Sequence, residues 1–206
     1  MVTVHYFYDP MCGWCYGATT LIEAIAKSHH LTLKLHPGGM ISSCVVEPTF
    51  RDHILKNDTA ISELTGARFG QVYLERVTST DEFVLDSYLP IRAILVADSL
   101  GMDPFLMLKA IQKAHYVDGK SVNKRTTLEE IATQLGLDQA LWNEKMQTEE
   151  SLEHAAVDNS HQLMTRLKVQ GYPTLFLEDN DQFIRLPHTK YYGQGEKWHT
   201  FLESLT

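Results

Sequence analysis

The chain has 206 residues and a formal net charge of -8, which argues against binding a phosphate backbone and for a self-repelling surface. That length is long for one domain and short for two equal ones, and buries about 70% of the unfolded surface, so no disulfide is needed to hold it together. No stretch approaches the ~20 apolar residues of a membrane span, so neither a membrane nor a nucleic acid is expected as a partner.

Val2 to Tyr8 alternates and is rich in β-branched and aromatic residues, which predicts a strand. Met1 leads straight into it, with no basic segment, apolar core or cleavage site, so a cytoplasmic protein is expected. Cys12-Gly13-Trp14-Cys15 follows. Two cysteines at this spacing either bind a metal or form a reversible disulfide. Gly17 to Lys27 sets Ala18, Leu21, Ile22, Ile25 and Ala26 at helical spacing. The pair therefore sits where a strand turns into a helix, with Cys12 at or just before an exposed helix start. Unpaired N–H groups and the helix macrodipole stabilise a thiolate there, which is the setting of a redox cysteine.

Leu31 to His36 reads as a second strand, ended by Pro37-Gly38-Gly39. Strand, helix and strand in sequence predict a parallel βαβ unit. Helical character then runs for more than a hundred residues. Pro48–Lys56, Thr59–Leu64 and Arg68–Thr78 read as short helices with Gly and Asp breaks. Ser87–Leu100 is strongly apolar and reads as core. Pro104–Tyr116 begins with Pro at a favoured first-turn position. Thr127–Leu135 carries a capping-box signature at Thr127-Leu128-Glu129-Glu130. Asp138–Met146 and Ser151–Lys168 complete the set, with Glu149-Glu150 read as a helix-start charge pair.

Strand character returns at Thr174–Glu178, which a turn at Asp179-Asn180-Asp181 joins to Gln182–Leu186 as a hairpin. Gly195–Leu205 closes the chain as a helix. The simplest organisation is one α/β sheet domain made from both chain ends, residues 1–42 and 158–206, with a helical insertion over 43–157. Gly171-Tyr172-Pro173-Thr174 precedes the third strand. Alone it is a helix stop and strand start. After a CxxC it gains weight, because an X-Pro bond is readily cis in a tight turn.

Together these segments resemble the thioredoxin superfamily, and within it the DsbA-like proteins with a helical insertion. Cys12-Gly13-Trp14-Cys15 is similar to the family's CxxC, and Tyr172-Pro173-Thr174 to its cis-proline loop. Asp9 to Gly17, Arg92-Ala93-Ile94 and Ala114 to Lys120 are similar to segments of cytoplasmic FrnE-like members. The resemblance implies a thioredoxin-like α/β fold and a thiol-disulfide oxidoreductase. Cys12 would be the nucleophile and Cys15 the resolving thiol. Gly13, Trp14, Tyr172 and Pro173 would bind substrate, with Met11 and Trp14 as an apolar rim and the Tyr172 backbone pairing with an extended segment. The partners implied are thiol- or disulfide-containing proteins or small molecules and a redox recycling partner. No cofactor is expected to be tightly bound, although glutathione fits as reductant or co-substrate.

Two features depart from the pattern. Gly13-Trp14 is neither the Pro-His of the strongly oxidising DsbA nor the Gly-Pro of thioredoxin, so the direction of electron flow does not carry over. The carboxylate that many members keep beneath the CxxC is replaced by Tyr6 and Tyr8, with Asp9 the nearest acid. Proton transfer at Cys15 is left to water, Asp9 or a substrate group.

The same insertion fold serves kappa-class glutathione transferases and 2-hydroxychromene-2-carboxylate isomerases. These place a serine where this chain has Cys12, so retention of both cysteines favours redox chemistry. A redox-silent protein-binding module is a third reading. A zinc site needs about four ligands. Cys44 and His36 are the residues that could complete one, and no metal is expected. Lone Cys44 reads as a structural or incidental thiol in a reducing compartment rather than a second redox centre. His115 and Tyr116 read as packing residues on a helix that borders the cleft.

Overall fold

The computed structural model describes residues 2–205; Met1 and Thr206 lie outside the described residues. A four-stranded sheet in the order β2-β1-β5-β6 forms the centre. Strand β1 (Val2–Tyr8) runs parallel to β2 (Leu31–Pro37) and antiparallel to β5 (Thr174–Asp179), which pairs antiparallel with β6 (Gln182–Arg185). The last five residues of β1 are all buried. A strand flanked on both edges and covered on both faces is buried continuously in this way. The crossover between β1 and β2 is made by α1 (Gly13–Gly17) and α2 (Thr19–Ala26), separated at Ala18.

The helical segment between the two halves of the sheet comprises α3 (Pro48–Thr65), α4 (Gln71–Thr78), α5 (Tyr88–Ser99), α6 (Pro104–Tyr116), α7 (Arg125–Gln134), α8 (Gln139–Thr148) and α9 (Leu152–Leu167). Helix α9 packs on both α5 and β2, so it joins this segment to the sheet. The Arg92 guanidinium on α5 grips the buried Glu153 carboxylate on α9 with hydrogen bonds of 2.8 and 2.5 Å. A planar fork on a carboxylate fixes orientation as well as distance. A 3-10 turn (His188–Tyr191) and α10 (Gly195–Glu203) close the chain. Trp198 of α10 is fully buried and its indole N–H donates to the Leu21 carbonyl at 2.9 Å, so the last helix packs against α2.

Several expectations are corrected. Residues 48–56 and 59–64 belong to one helix rather than two, because Asp58 lies on its buried face instead of breaking it. The capping box at Thr127 is not used. The helix begins at Arg125, whose guanidinium is anchored on the Asn143 carbonyl at 2.5 Å. Glu149 does not start a helix; it closes α8 and pairs with Lys145 at 2.9 Å. Two short strands, β3 (Cys44–Val45) and β4 (Val84–Leu85), pair where no strand was expected.

Candidate active site

Cys12 is the N-cap of α1, and its carbonyl accepts from the Cys15 and Tyr16 N–H groups at 3.0 and 3.1 Å. It is not the exposed thiol expected. Only 7% of Cys12 is exposed, because the helical segment and the Tyr172 loop close over it. Its thiol lies 3.6 Å from the Tyr172 carbonyl, which it faces as a donor. The Tyr172–Pro173 peptide bond is cis. Both active-site sulfurs are free thiols here.

Cys15, one turn further in, is fully buried. Burial pushes its thiol well above the usual range, and a hydrogen bond to Cys12 together with the charge at Cys12 pushes it further. The Asp9 N–H opposes this by donating to the Cys15 sulfur at 3.5 Å. Cys15 is thus held as a thiol for as long as Cys12 carries negative charge.

Asp9 has a structural geometry. Its Oδ1 accepts from the Met11 N–H at 2.9 Å and the Ser87 hydroxyl at 2.7 Å, and its Oδ2 from the Met40 N–H at 2.7 Å. Burial raises Asp9 above the ordinary carboxylate value, and these three donors draw it back in part. The result ties the loop before Cys12 to the segment after β2 and to the start of α5. The contact between Asp9 and the Cys15 sulfur is made by the backbone N–H.

Two cavities meet at this point. One, of about 230 Å³, is mainly apolar and lies between α1 and the helical segment, bordered by Cys12, Gly13, Trp14, Asp58, Tyr73 and His115. The other, of about 520 Å³, lies against the cis-proline loop and is bordered by Trp14, Tyr172, Pro173, His188, Lys190 and Tyr192. Trp14 borders both and stacks on Tyr192 with ring centroids 6.0 Å apart. The structure thus gathers Cys12, Cys15, Gly13, Trp14, Tyr172 and Pro173 around one point. Gly38 allows the ring of Tyr172 to close on it, since a Cβ there would fall 2.3 Å from that ring.

Asp58, Tyr73, His188 and Tyr192 also border these cavities and were not singled out from the sequence. His115 and Tyr116 do pack in the core, yet both border the smaller cavity. Burial drives His115 down to about 3, so it is neutral at physiological pH. Cys44 is exposed in β3. His36 stacks between His5 and Phe7, with a ring nitrogen 2.8 Å from that of His5. No group of three or more His, Cys, Asp or Glu among the described residues is arranged to hold a metal.

A family model described as a DSBA-like thioredoxin domain matches residues 3–192. A search of curated protein sequences found no match. Among solved structures, the chain is similar to the cytosolic disulfide reductase DsbM from Pseudomonas aeruginosa. Identity is 35%, TM-score 0.91, and 98% of each chain is covered. A structure of that protein with GSH gives 36% identity and a TM-score of 0.90, again over 98% of each chain. A protein described as a putative protein disulfide isomerase from Nitrosomonas europaea matches at 24% identity and TM-score 0.78, over 98% of each chain. A 2-hydroxychromene-2-carboxylate isomerase, at 13% identity and TM-score 0.61 over 99% of each chain, shares the fold alone. The chain belongs to the DsbA-like thioredoxin-domain family of thiol-disulfide oxidoreductases.

Proposed function

We propose that this protein is a cytoplasmic disulfide reductase in which Cys12 attacks the substrate disulfide, Cys15 resolves the mixed disulfide, and glutathione returns the pair to the dithiol. The observation that carries the reading is the asymmetry of the two thiols. Cys12 borders the smaller cavity at a helix N-terminus, whereas Cys15 is fully buried and held protonated. The likeness to a cytosolic disulfide reductase that has also been solved with GSH supports the direction and the small thiol. The division of the chain into a sheet domain of residues 1–42 and 158–206 and a helical insertion of 43–157 is part of the same proposal. It places the substrate between the two.

The chemistry follows from the geometry. The Cys12 thiolate attacks one sulfur of the substrate; the substrate S–S bond breaks, a Cys12–substrate disulfide forms, and the other half leaves as a thiolate that takes up a proton. Once Cys12 is in a disulfide it has neither charge nor a free thiolate to accept from Cys15. Two of the influences that hold the Cys15 proton are then gone, while the Asp9 N–H still donates to its sulfur. Cys15 loses its proton, attacks Cys12, and releases the second half as a thiol. Attack by Cys15 is therefore timed by the formation of the mixed disulfide. Two glutathione molecules then reduce the Cys12–Cys15 disulfide and leave as glutathione disulfide, so electrons balance.

Trp14, Tyr172 and Pro173 line the larger cavity, and Lys190 sets a cation at its edge. In this proposal that cavity receives the peptide-like, carboxylate-bearing glutathione. Reduction of a small disulfide, followed as glutathione disulfide production at fixed glutathione, tests the reading. Turnover that saturates with both substrates is expected. Stoichiometric zinc in protein purified without chelators, with no turnover, would contradict it.

A further inference from the structure

The smaller cavity contains a carboxyl group to which the exchange above assigns no role. Asp58 on α3 is 4% exposed and borders the same cavity as Cys12. Its Oδ2 accepts from the Tyr73 hydroxyl at 2.9 Å. Its Oδ1, the oxygen not bonded to Tyr73, faces Gly13, the residue after Cys12, where a Cβ would stand 3.3 Å away. Glycine at that position lets the carboxylate approach the start of α1. Asp9, the other acid nearby, has both oxygens engaged. Asp58, unlike Asp9, lines the nucleophile's cavity.

We propose that Asp58 is the proton acceptor and donor for the sulfur exchanged at Cys12, a role that rests on the reading of Cys12 as nucleophile. The Asp58 carboxylate takes the proton of the Cys12 thiol. The thiolate's electron pair forms the new S–S bond as the substrate S–S bond breaks, and the leaving thiolate takes the proton back from Asp58. The carboxylate is regenerated, one proton has moved from Cys12 to the released thiol, and no further reactant is needed.

Burial raises Asp58 to about 6, and the hydrogen bond from Tyr73 keeps it from rising further. A carboxylate so placed both accepts and returns a proton near neutral pH. Other titratable groups lie around it. Tyr73 on α4 and Tyr116 on α6 are pushed above the usual phenol range by burial, and His115 on α6 is held neutral. Arg76, beyond Tyr73, stacks on Phe83 at 5.0 Å, and His53 of α3 stands exposed at the rim. The helical segment, not the sheet, would thus supply the acid–base group of this site.

The test is the second-order rate constant of the reduced protein with glutathione disulfide between about pH 5 and pH 9. The wild-type rate should rise with pH through an inflection near 6, because the carboxylate form is the acceptor. Asp58→Asn, which keeps the size of the side chain, should lose that inflection and react more slowly at neutral pH by roughly 100-fold or more. Tyr73→Phe should retain the inflection but move it to higher pH, since the bond that lowers Asp58 is gone. A wild-type profile in Asp58→Asn, or an unmoved inflection in Tyr73→Phe, would overturn the assignment. A Cys12→Ser variant that still reacted at the wild-type rate would instead overturn the reading of Cys12, and this proposal with it.

Discussion

Replacement of Cys12 by Ser should reduce disulfide exchange to below roughly one-thousandth of the wild-type rate, the scale on which loss of a nucleophile acts. A hydroxyl at this N-cap could still face the Tyr172 carbonyl, so the fold is retained while the attacking thiolate is lost. Cys15→Ser should behave differently. It keeps the attacking group and loses the resolving one, so the first half-reaction proceeds and the second stops. Incubation of reduced Cys15→Ser with glutathione disulfide should therefore accumulate protein carrying one glutathionyl group, readable by intact-mass spectrometry and reversed by dithiothreitol. If Cys12→Ser rather than Cys15→Ser trapped the adduct, the two roles would have to be exchanged. The burial of Cys15 argues against that, since the substrate would have to reach a fully enclosed sulfur.

Asp9→Ala is expected to be among the most destabilising single changes near the site. The carboxylate receives two backbone N–H groups and one hydroxyl in a fully buried position. Alanine would leave the Met11 and Met40 N–H groups without acceptors. Each orphaned buried donor costs about 1–3 kcal/mol, against which the relief of a buried charge acts in the opposite direction. The donors prevail, because three of them, two backbone N–H groups and the Ser87 hydroxyl, are aimed at one buried group. A net loss of about 3 kcal/mol is expected, measured by urea unfolding of the reduced protein. The loop before Cys12 should loosen at the same time, giving faster alkylation of Cys12 by iodoacetamide. An Asp9→Ala protein as stable as wild type would show that the carboxylate does not hold the loop.

The parts of the site that were legible in the sequence are those encoded locally. The alternating Val2–Tyr8 run, the two-residue spacing of the cysteines and a proline at the start of β5 each declare themselves within a few residues. The fold followed because the helical middle lies between two strand-rich ends. What escaped was decided by partners distant in sequence. Asp58 looked like a helix break because polarity within a helix normally marks its solvent face; here Tyr73 and the cavity beside Gly13 make that face an interior one. The short strands β3 and β4 are two residues each and carry no periodicity to read. The capping box at Thr127 had the correct residues, yet the tie between Arg125 and Asn143 starts the helix earlier. The exposure expected of Cys12 failed for a related reason, since helix position says where a thiol points along the chain and not what later segments fold over it.

The direction of electron flow lies in the dipeptide Gly13-Trp14 and in the balance of stability between dithiol and disulfide. Protonated Cys15, bonded to Cys12 and supported by the Asp9 N–H, gives the dithiol no excess negative charge to relieve. The measurement that tests the account most directly is the equilibrium reduction potential of the Cys12–Cys15 pair in glutathione buffers, with the fraction reduced read by thiol trapping. A disulfide reductase recycled by glutathione should lie between the glutaredoxin range and thioredoxin, about -200 to -270 mV. A value near the roughly -120 mV of a strong oxidant would contradict it, because glutathione would then hold the pair reduced while its disulfide form drove substrate oxidation.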